Sequence, residues 1–239
     1  MQLDIEDLRH TRSASMHNYH TWLLDLDDTL QVGMYSWAAI HVFPDIIEEV
    51  GTKPERNTFE AAYARAQEIY KSGGDNDAVG DEFFRILGWP AALTGTILKR
   101  FATDYRPALF DDTTAFLNWI TARGDRLFLT TNNTWAHQVC QSLGIMHYFS
   151  DIVIPVEGSM LGKPSPDMWN HLKAQMGLTD HSEVVLVGNE LTTDGIFAKN
   201  CGLDCIIVDR FERFAEMPDH CFRVTSLSDI SAQVDQPLS

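Results

Sequence analysis

Short apolar runs at residues 22–26, 126–130, 151–155, 184–188 and 205–208 restrict this chain to few folds. Amphipathic helical patterns at 112–122, 136–143, 166–176 and 193–200 separate most of these runs. Each run has the length of a buried strand rather than of a helix. Strand alternating with helix predicts parallel strands joined by right-handed crossovers, an α/β fold with a doubly wound parallel sheet. Ligands in such sheets bind at the C-terminal strand ends, near the point where strand order reverses. Asp25, Asp27, Thr131 and the loop from Gly188 to Asp194 all fall at such ends.

The alternation stops between about Gln31 and Pro107. Four stretches there, 37–50, 58–72, 78–87 and 92–104, carry apolar residues at three- and four-residue spacing and read as helices. Gly51, Gly73-Gly74 and Gly88-Trp89-Pro90 punctuate them. The expected organisation is a core of residues 1–30 and 108–239, interrupted by a helical domain at 31–107. Ahead of the first strand, Leu3, Ile5 and Leu8 fit either a short helix or a loose arm, and the tail after Thr225 fits a short helix with a frayed end.

A length of 239 residues is ample for a sizeable core. Apolar content of 44% and charged content of 22% are those of a globular protein. No apolar run approaches the length needed to span a bilayer, and the acidic, polar start does not read as a secretory signal. The net charge of −16 argues against nucleic acid or an anionic membrane as partner, since both reward a basic surface. Cys140, Cys201, Cys205 and Cys221 form no CxxC pair and no zinc spacing. They read as small buried hydrophobes in a reducing, cytoplasmic setting.

The chemistry begins at Trp22-Leu23-Leu24-Asp25-Leu26-Asp27-Asp28-Thr29-Leu30. An apolar strand ends by presenting two carboxylates two residues apart, followed by a hydroxyl. Acids at the end of a buried strand are costly unless a metal or a reaction requires them. One carboxylate of such a pair can attack an electrophile, and the other can move a proton. The same letters also suit a solvated turn.

Three further segments follow in order. Leu127-Phe128-Leu129-Thr130-Thr131-Asn132 is a strand ending in hydroxyls. Gly162-Lys163-Pro164-Ser165-Pro166-Asp167 isolates a lysine in a loop. Val184-Val185-Leu186-Val187-Gly188-Asn189-Glu190 is an apolar strand running into polar residues, with Asp194 after it. Taken together, roughly from residue 20 to 210, the four segments resemble the signature motifs of the haloacid dehalogenase (HAD) superfamily, in its phosphatase branch.

The resemblance implies a Rossmann-like core, with the helical insertion acting as a type 1 cap that selects the substrate. It makes Asp25 the nucleophile and Asp27 the acid/base. Thr131, chosen over Thr130 because Asn132 follows it, would grip the phosphoryl group together with Lys163, and Asn132 would assist in binding. It also implies Mg²⁺, held by Asp25, the Asp27 carbonyl and the fourth motif. That motif departs from the pattern: Asn189 stands where relatives usually have Asp, so Glu190 and Asp194 are the acids left to complete the metal shell. Asp28 stands where many relatives carry Gly. The implied activity is hydrolysis of a small phosphorylated metabolite or nucleoside monophosphate through an aspartyl-phosphate, by a monomer or homodimer. A phosphomutase or phosphotransferase, a silent phosphate-binding module motivated by Asn189, and a haloacid dehalogenase remain as alternatives, Asp27 weighing against the last.

Overall fold

The strand at the centre of the sheet, β1 (Thr21–Leu24), has every residue buried, as a strand covered on both faces must. The computed structural model describes residues 19–72, 75–177 and 181–235. Leu3, Ile5 and Leu8, and the end of the tail, lie outside them. β1 is followed by β2 (Arg126–Thr130), β3 (Asp151–Val153), β4 (Val184–Gly188), β5 (Asp204–Val208) and β6 (Cys221–Val224). All pairings are parallel, in the order β3-β2-β1-β4-β5-β6. Leu23 sits between Phe128 and Leu186. The chain moves outward from β1 to β3 and then returns beside β1 as β4. The reversal of strand order therefore opens a crevice at the C-terminal ends of β1 and β4.

The doubly wound parallel sheet agrees with the sequence reading, with two adjustments. β1 stops at Leu24, two residues early, because the chain turns at the acidic pair. β6 is an additional edge strand, and its half-buried Phe222 and Arg223 break the apolar run that marks the others.

Alternation along the strands sends Trp22, Leu24, Leu127, Leu129, Val185 and Val187 to one face. There they join Phe116, Leu117 and Ile120 of α6 (Thr113–Ala122) and Leu227, Ile230 and Val234 of α10 (Leu227–Val234) in one core. Trp22 meets Phe116 and Trp119 edge-on at 5.9 and 5.8 Å. Leu23, Phe128, Leu186, Cys205 and Ile207 alternate to the opposite face and are buried as well. The remaining core helices are α7 (Ala136–Ser142), α8 (Asp167–Met176) and α9 (Ile196–Cys201), the last packing on β5. All four cysteines are free and buried.

The chain divides into two compact units. The sheet unit takes the described residues up to Gln31, then Leu109–Arg210, and resumes at Met217. The helical unit takes Val32–Ala108 and Phe211–Glu216. The two crossings lie side by side, since Gln31 bridges antiparallel to Leu109 and the Val32 amide donates to the Ala108 carbonyl at 2.8 Å.

The helical unit contains α1 (Met34–His41), α2 (Phe43–Val50), α3 (Arg56–Lys71), α4 (Asn76–Leu87) and α5 (Leu93–Asp104). The single helix expected at 37–50 is broken at Val42. Pro44 has no amide to donate to Ile40, and its ring would crowd that carbonyl, so the chain restarts as α2 with Pro44 in its first turn. Asp75 caps α4 by accepting from the Ala78 amide at 2.8 Å. A Cβ on Gly80 would overlap the Thr94 side chain, so glycine there allows α4 and α5 to approach closely. Trp37, Ile46, Ala62, Phe83, Phe84, Trp89 and Ile97 form this unit's own core.

Candidate active site

β1 hands Asp25 over while the chain is still pinned to the sheet, its amide donating to the Val187 carbonyl at 2.9 Å. The next residues curl into a tight turn. Leu30 and Gln31 both donate to the Leu26 carbonyl, at 3.0 and 3.1 Å. Asp28 occupies the left-handed region with φ 59°. That conformation favours Gly, and Asp is among the side chains that tolerate it better.

The turn separates the two acids. Asp25 is 6% exposed, and its Oδ1 accepts from Lys163 Nζ at 2.7 Å. Thr29 Oγ1 lies 3.3 Å from Asp25 Oδ2 and 3.4 Å from Asn189 Oδ1, which places these oxygens around one hydroxyl. Asp27 is less buried and faces other partners. Its Oδ1 accepts from Gln31 Nε2 at 2.5 Å and its Oδ2 from Asn133 Nδ2 at 2.9 Å. Neither Gln31 nor Asn133 belongs to the four motif segments, although Gln31 stands one turn after Asp27 and Asn133 directly follows the second motif.

Lys163 is the hub. Its ammonium, 5% exposed with its residue, bridges Asp25 and the Asp194 Oδ1 at 2.5 Å. Asn132 fixes the lysine's backbone from both sides, donating to the Lys163 carbonyl at 2.9 Å and accepting from its amide at 2.7 Å. The Asn132 amide group is thus engaged in holding the lysine loop. Burial by itself would depress the Lys163 ammonium, but Asp194 and Asp25 outweigh it and hold the group charged. Burial raises Asp25. Lys163 pulls it back, and Asp194 and Asp27 add repulsion.

Asp194 is 1% exposed, and its second oxygen accepts from the Asn189 and Glu190 amides, both at 3.1 Å. A Cβ on Gly188 would overlap this carboxyl, so glycine at the end of β4 is what lets Asp194 tuck beneath the loop. The helix expected at 193–200 begins as a wide π turn, Leu191–Gly195, in which the Asp194 and Gly195 amides both reach the Glu190 carbonyl at 2.8 and 3.1 Å. Glu190 Oε1 accepts from the Thr192 amide and hydroxyl, each at 3.2 Å, and so caps this turn. Thr131, buried at the end of β2, accepts from the Asn133 amide at 3.2 Å. The neighbouring Thr130 hydroxyl is buried without a partner among the described residues.

The structure therefore gathers Asp25, Lys163, Asn189 and Asp194 into one hydrogen-bonded cluster at the strand ends, with Lys163 between the two acids and Thr29 between Asp25 and Asn189. Asn132 and Asn133 link the second motif to Lys163 and Asp27. The family profile of haloacid dehalogenase-like hydrolases matches residues 19–202, most of the chain.

The chain is a haloacid dehalogenase-like hydrolase.

Solved structures of the superfamily share its fold. The HAD-hydrolase YfnB of Bacillus subtilis, solved bound to magnesium, is 17% identical over 92% of this chain and 100% of its own, with a TM-score of 0.60. A HAD phosphatase of Thermococcus onnurineus is 19% identical over 90% and 97%, with a TM-score of 0.56. A 2-haloacid dehalogenase of Pseudomonas syringae is 19% identical over 90% and 98%, with a TM-score of 0.53. No curated protein matches the chain.

This HAD-like hydrolase has a donor set that suits a small hard cation. The Asp25 carboxylate, the Asp27 carbonyl and the Asn189 amide are oxygen ligands of the kind Mg²⁺ takes. One ammonium faces two buried carboxylates, leaving uncompensated negative charge that a divalent cation would neutralise. Among the described residues no cluster of three or more His, Cys, Asp or Glu could hold a metal. The reason is that two of the three candidate ligands here are a backbone carbonyl and an amide. No helix among the described residues is long and apolar enough to cross a membrane.

Proposed function

We propose that this chain hydrolyses a small phosphomonoester by way of an aspartyl-phosphate on Asp25, with Mg²⁺ as cofactor. The observation that carries the reading is the buried Asp25–Lys163–Asp194 cluster beside a separately held Asp27. It supplies a nucleophile, a fixed cation and an independent proton carrier.

In the first step an Asp25 carboxylate oxygen forms a bond to phosphorus as the bond to the leaving oxygen breaks. Asp27 gives its proton to that oxygen, and the alcohol departs. In the second step Asp27, now a carboxylate, takes a proton from water as the water oxygen attacks phosphorus. The Asp25–phosphorus bond breaks, inorganic phosphate leaves and Asp25 is restored. Gln31 and Asn133 keep the Asp27 carboxyl oriented through both transfers. Lys163 and the Thr131 hydroxyl would stabilise charge on the phosphoryl oxygens. Asn132, by gripping the Lys163 backbone, keeps the ammonium in place. The cation, when bound by Asp25, the Asp27 carbonyl and Asn189, offsets repulsion between carboxylate and phosphate. The helical unit is the candidate cap, and the enzyme is taken to act in the cytoplasm as a monomer or homodimer.

A second reading rests on Asn189. Without a carboxylate there, the site could hold phosphate without turning it over. Release of inorganic phosphate from a panel of phosphomonoesters separates the two. Wild type in millimolar Mg²⁺ is expected to turn over, and EDTA or Asp25→Asn should reduce the rate by on the order of 10³-fold or more. Phosphate binding with no turnover of any ester would favour the silent module, and metal-independent halide release would favour dehalogenation.

A further inference from the structure

The helical unit carries a cavity of about 650 Å³ that is open to solvent. Its lining belongs wholly to that unit and includes none of the acids, threonines or lysine of the catalytic cluster. The volume is in the range of small-molecule sites. We propose that this cavity is a binding site for a small aromatic anion, a flat ring carrying a carboxylate, sulfonate or phosphate.

The walls are aromatic and mutually braced. Phe43 meets Phe59 at 6.1 Å and Trp89 at 5.9 Å, while Tyr35 meets Phe59 at 6.2 Å and Phe211 at 5.7 Å, all edge-on. Such contacts hold rings in fixed planes, so a ligand ring would meet a preformed slot. Unlike the core ring of Trp89, those of Tyr35, Phe43 and Phe59 are half-buried and that of Phe211 is exposed. Contiguous apolar surface left open in this way marks a binding site more often than a core.

Two wall residues come from the short return of the chain at Phe211–Glu216. Glu212 has φ 51°, and this left-handed turn brings both of its neighbours onto Tyr35. Phe211 packs edge-on against the ring, and the Arg213 guanidinium lies 4.9 Å from its centre.

Charge selects an acid. Lys53, Arg56 and Arg213 line the cavity against Glu55 and Glu212, whereas the whole chain has 18 basic and 34 acidic residues. Arg56 is held by Glu60 at 3.3 Å and by the Phe214 carbonyl, and Arg213 is enclosed by the rings of Tyr35, Tyr63 and Phe214. Lys53 is exposed and makes no ion pair with any described residue. It is the cation that can close on an acidic group while the ring occupies the slot.

The test uses 8-anilinonaphthalene-1-sulfonate as probe, with the full chain in EDTA. One probe per chain is expected to bind saturably. Lys53→Glu should weaken it at least about fivefold, and Phe211→Ala should weaken it too. Lys99→Glu, the same charge change on an exposed residue outside the lining, should leave it unaltered. N-phenyl-1-naphthylamine, with the same rings and no sulfonate, should bind wild type and Lys53→Glu equally. Non-saturable binding would overturn the proposal, as would indifference to Lys53→Glu or displacement by inorganic phosphate. Retained binding in Asp25→Asn would support it, and loss there would assign the probe to the catalytic cluster instead.

Discussion

At the scale of single residues, the site is governed by how many negative charges share one ammonium. Lys163 faces Asp25 and Asp194 in a pocket from which water is nearly excluded, and Asn189 adds an oxygen without adding charge. Asn189→Asp should raise apparent Mg²⁺ affinity by about tenfold, because ligand charge tunes such sites. In EDTA the same change places another buried carboxylate beside Asp25 and should lower the melting temperature. Melting curves with and without Mg²⁺ check both signs, and a variant insensitive to Mg²⁺ would remove Asn189 from the metal shell. Asp25, Asp27, Thr131, Lys163 and Asp194 were legible as candidates because motifs record residue types at strand ends and in the loops and turns beyond them. Gln31 and Asn133 were not, because orienting an acid needs only an amide within reach and many residue types can provide one.

At the scale of elements, the start of β2 is tied to β1 by a buried acid. Asp125 accepts from Arg123 Nε at 2.8 Å and from Trp22 Nε1 at 3.1 Å, and it bonds His20 Nδ1 at 2.9 Å. Burial alone would raise its carboxyl, but hydrogen bonds from Arg123, His20 and Trp22 together hold it below the usual range. A carboxyl depressed by folding contributes stability in full above its unfolded value of about 3.9, and loses it as pH falls through the lower folded value. Asp125→Asn should therefore cost about 1–3 kcal/mol at pH 7. The difference from wild type should shrink below about pH 4. Urea unfolding at pH 7 and pH 3 measures it, and a pH-independent difference would contradict the argument. Most elements could be read from apolar periodicity. The break at Val42 depended on a proline within an otherwise continuous helical pattern. β6 leaves no such mark, because an edge strand with half-buried positions has no clear alternation.

At the scale of the whole molecule, 34 acids against 18 basic residues give a net charge of −16. Self-repulsion of that size destabilises the compact state at low ionic strength and is screened by salt. Raising NaCl from about 10 to 150 mM at pH 8 should stabilise the protein by on the order of 1 kcal/mol, a rise in melting temperature of about 2–4 °C. Scanning calorimetry across a salt series checks this. A fall in melting temperature would mean that attractive pairs such as Arg210–Asp112, at 2.8 Å, outweigh the net charge.

The sequence by itself determined the parallel α/β core and the helical run that interrupts it, because strand and helix leave different hydrophobic periods, and it marked the polar residues at the strand ends as candidates. Tertiary structure alone decided which partners those residues take. Whether Glu190 caps its own turn, whether Asn132 grips the lysine loop, and where Phe211–Glu216 packs are matters of a few ångströms between segments distant in the chain. Local periodicity carries no record of such distances.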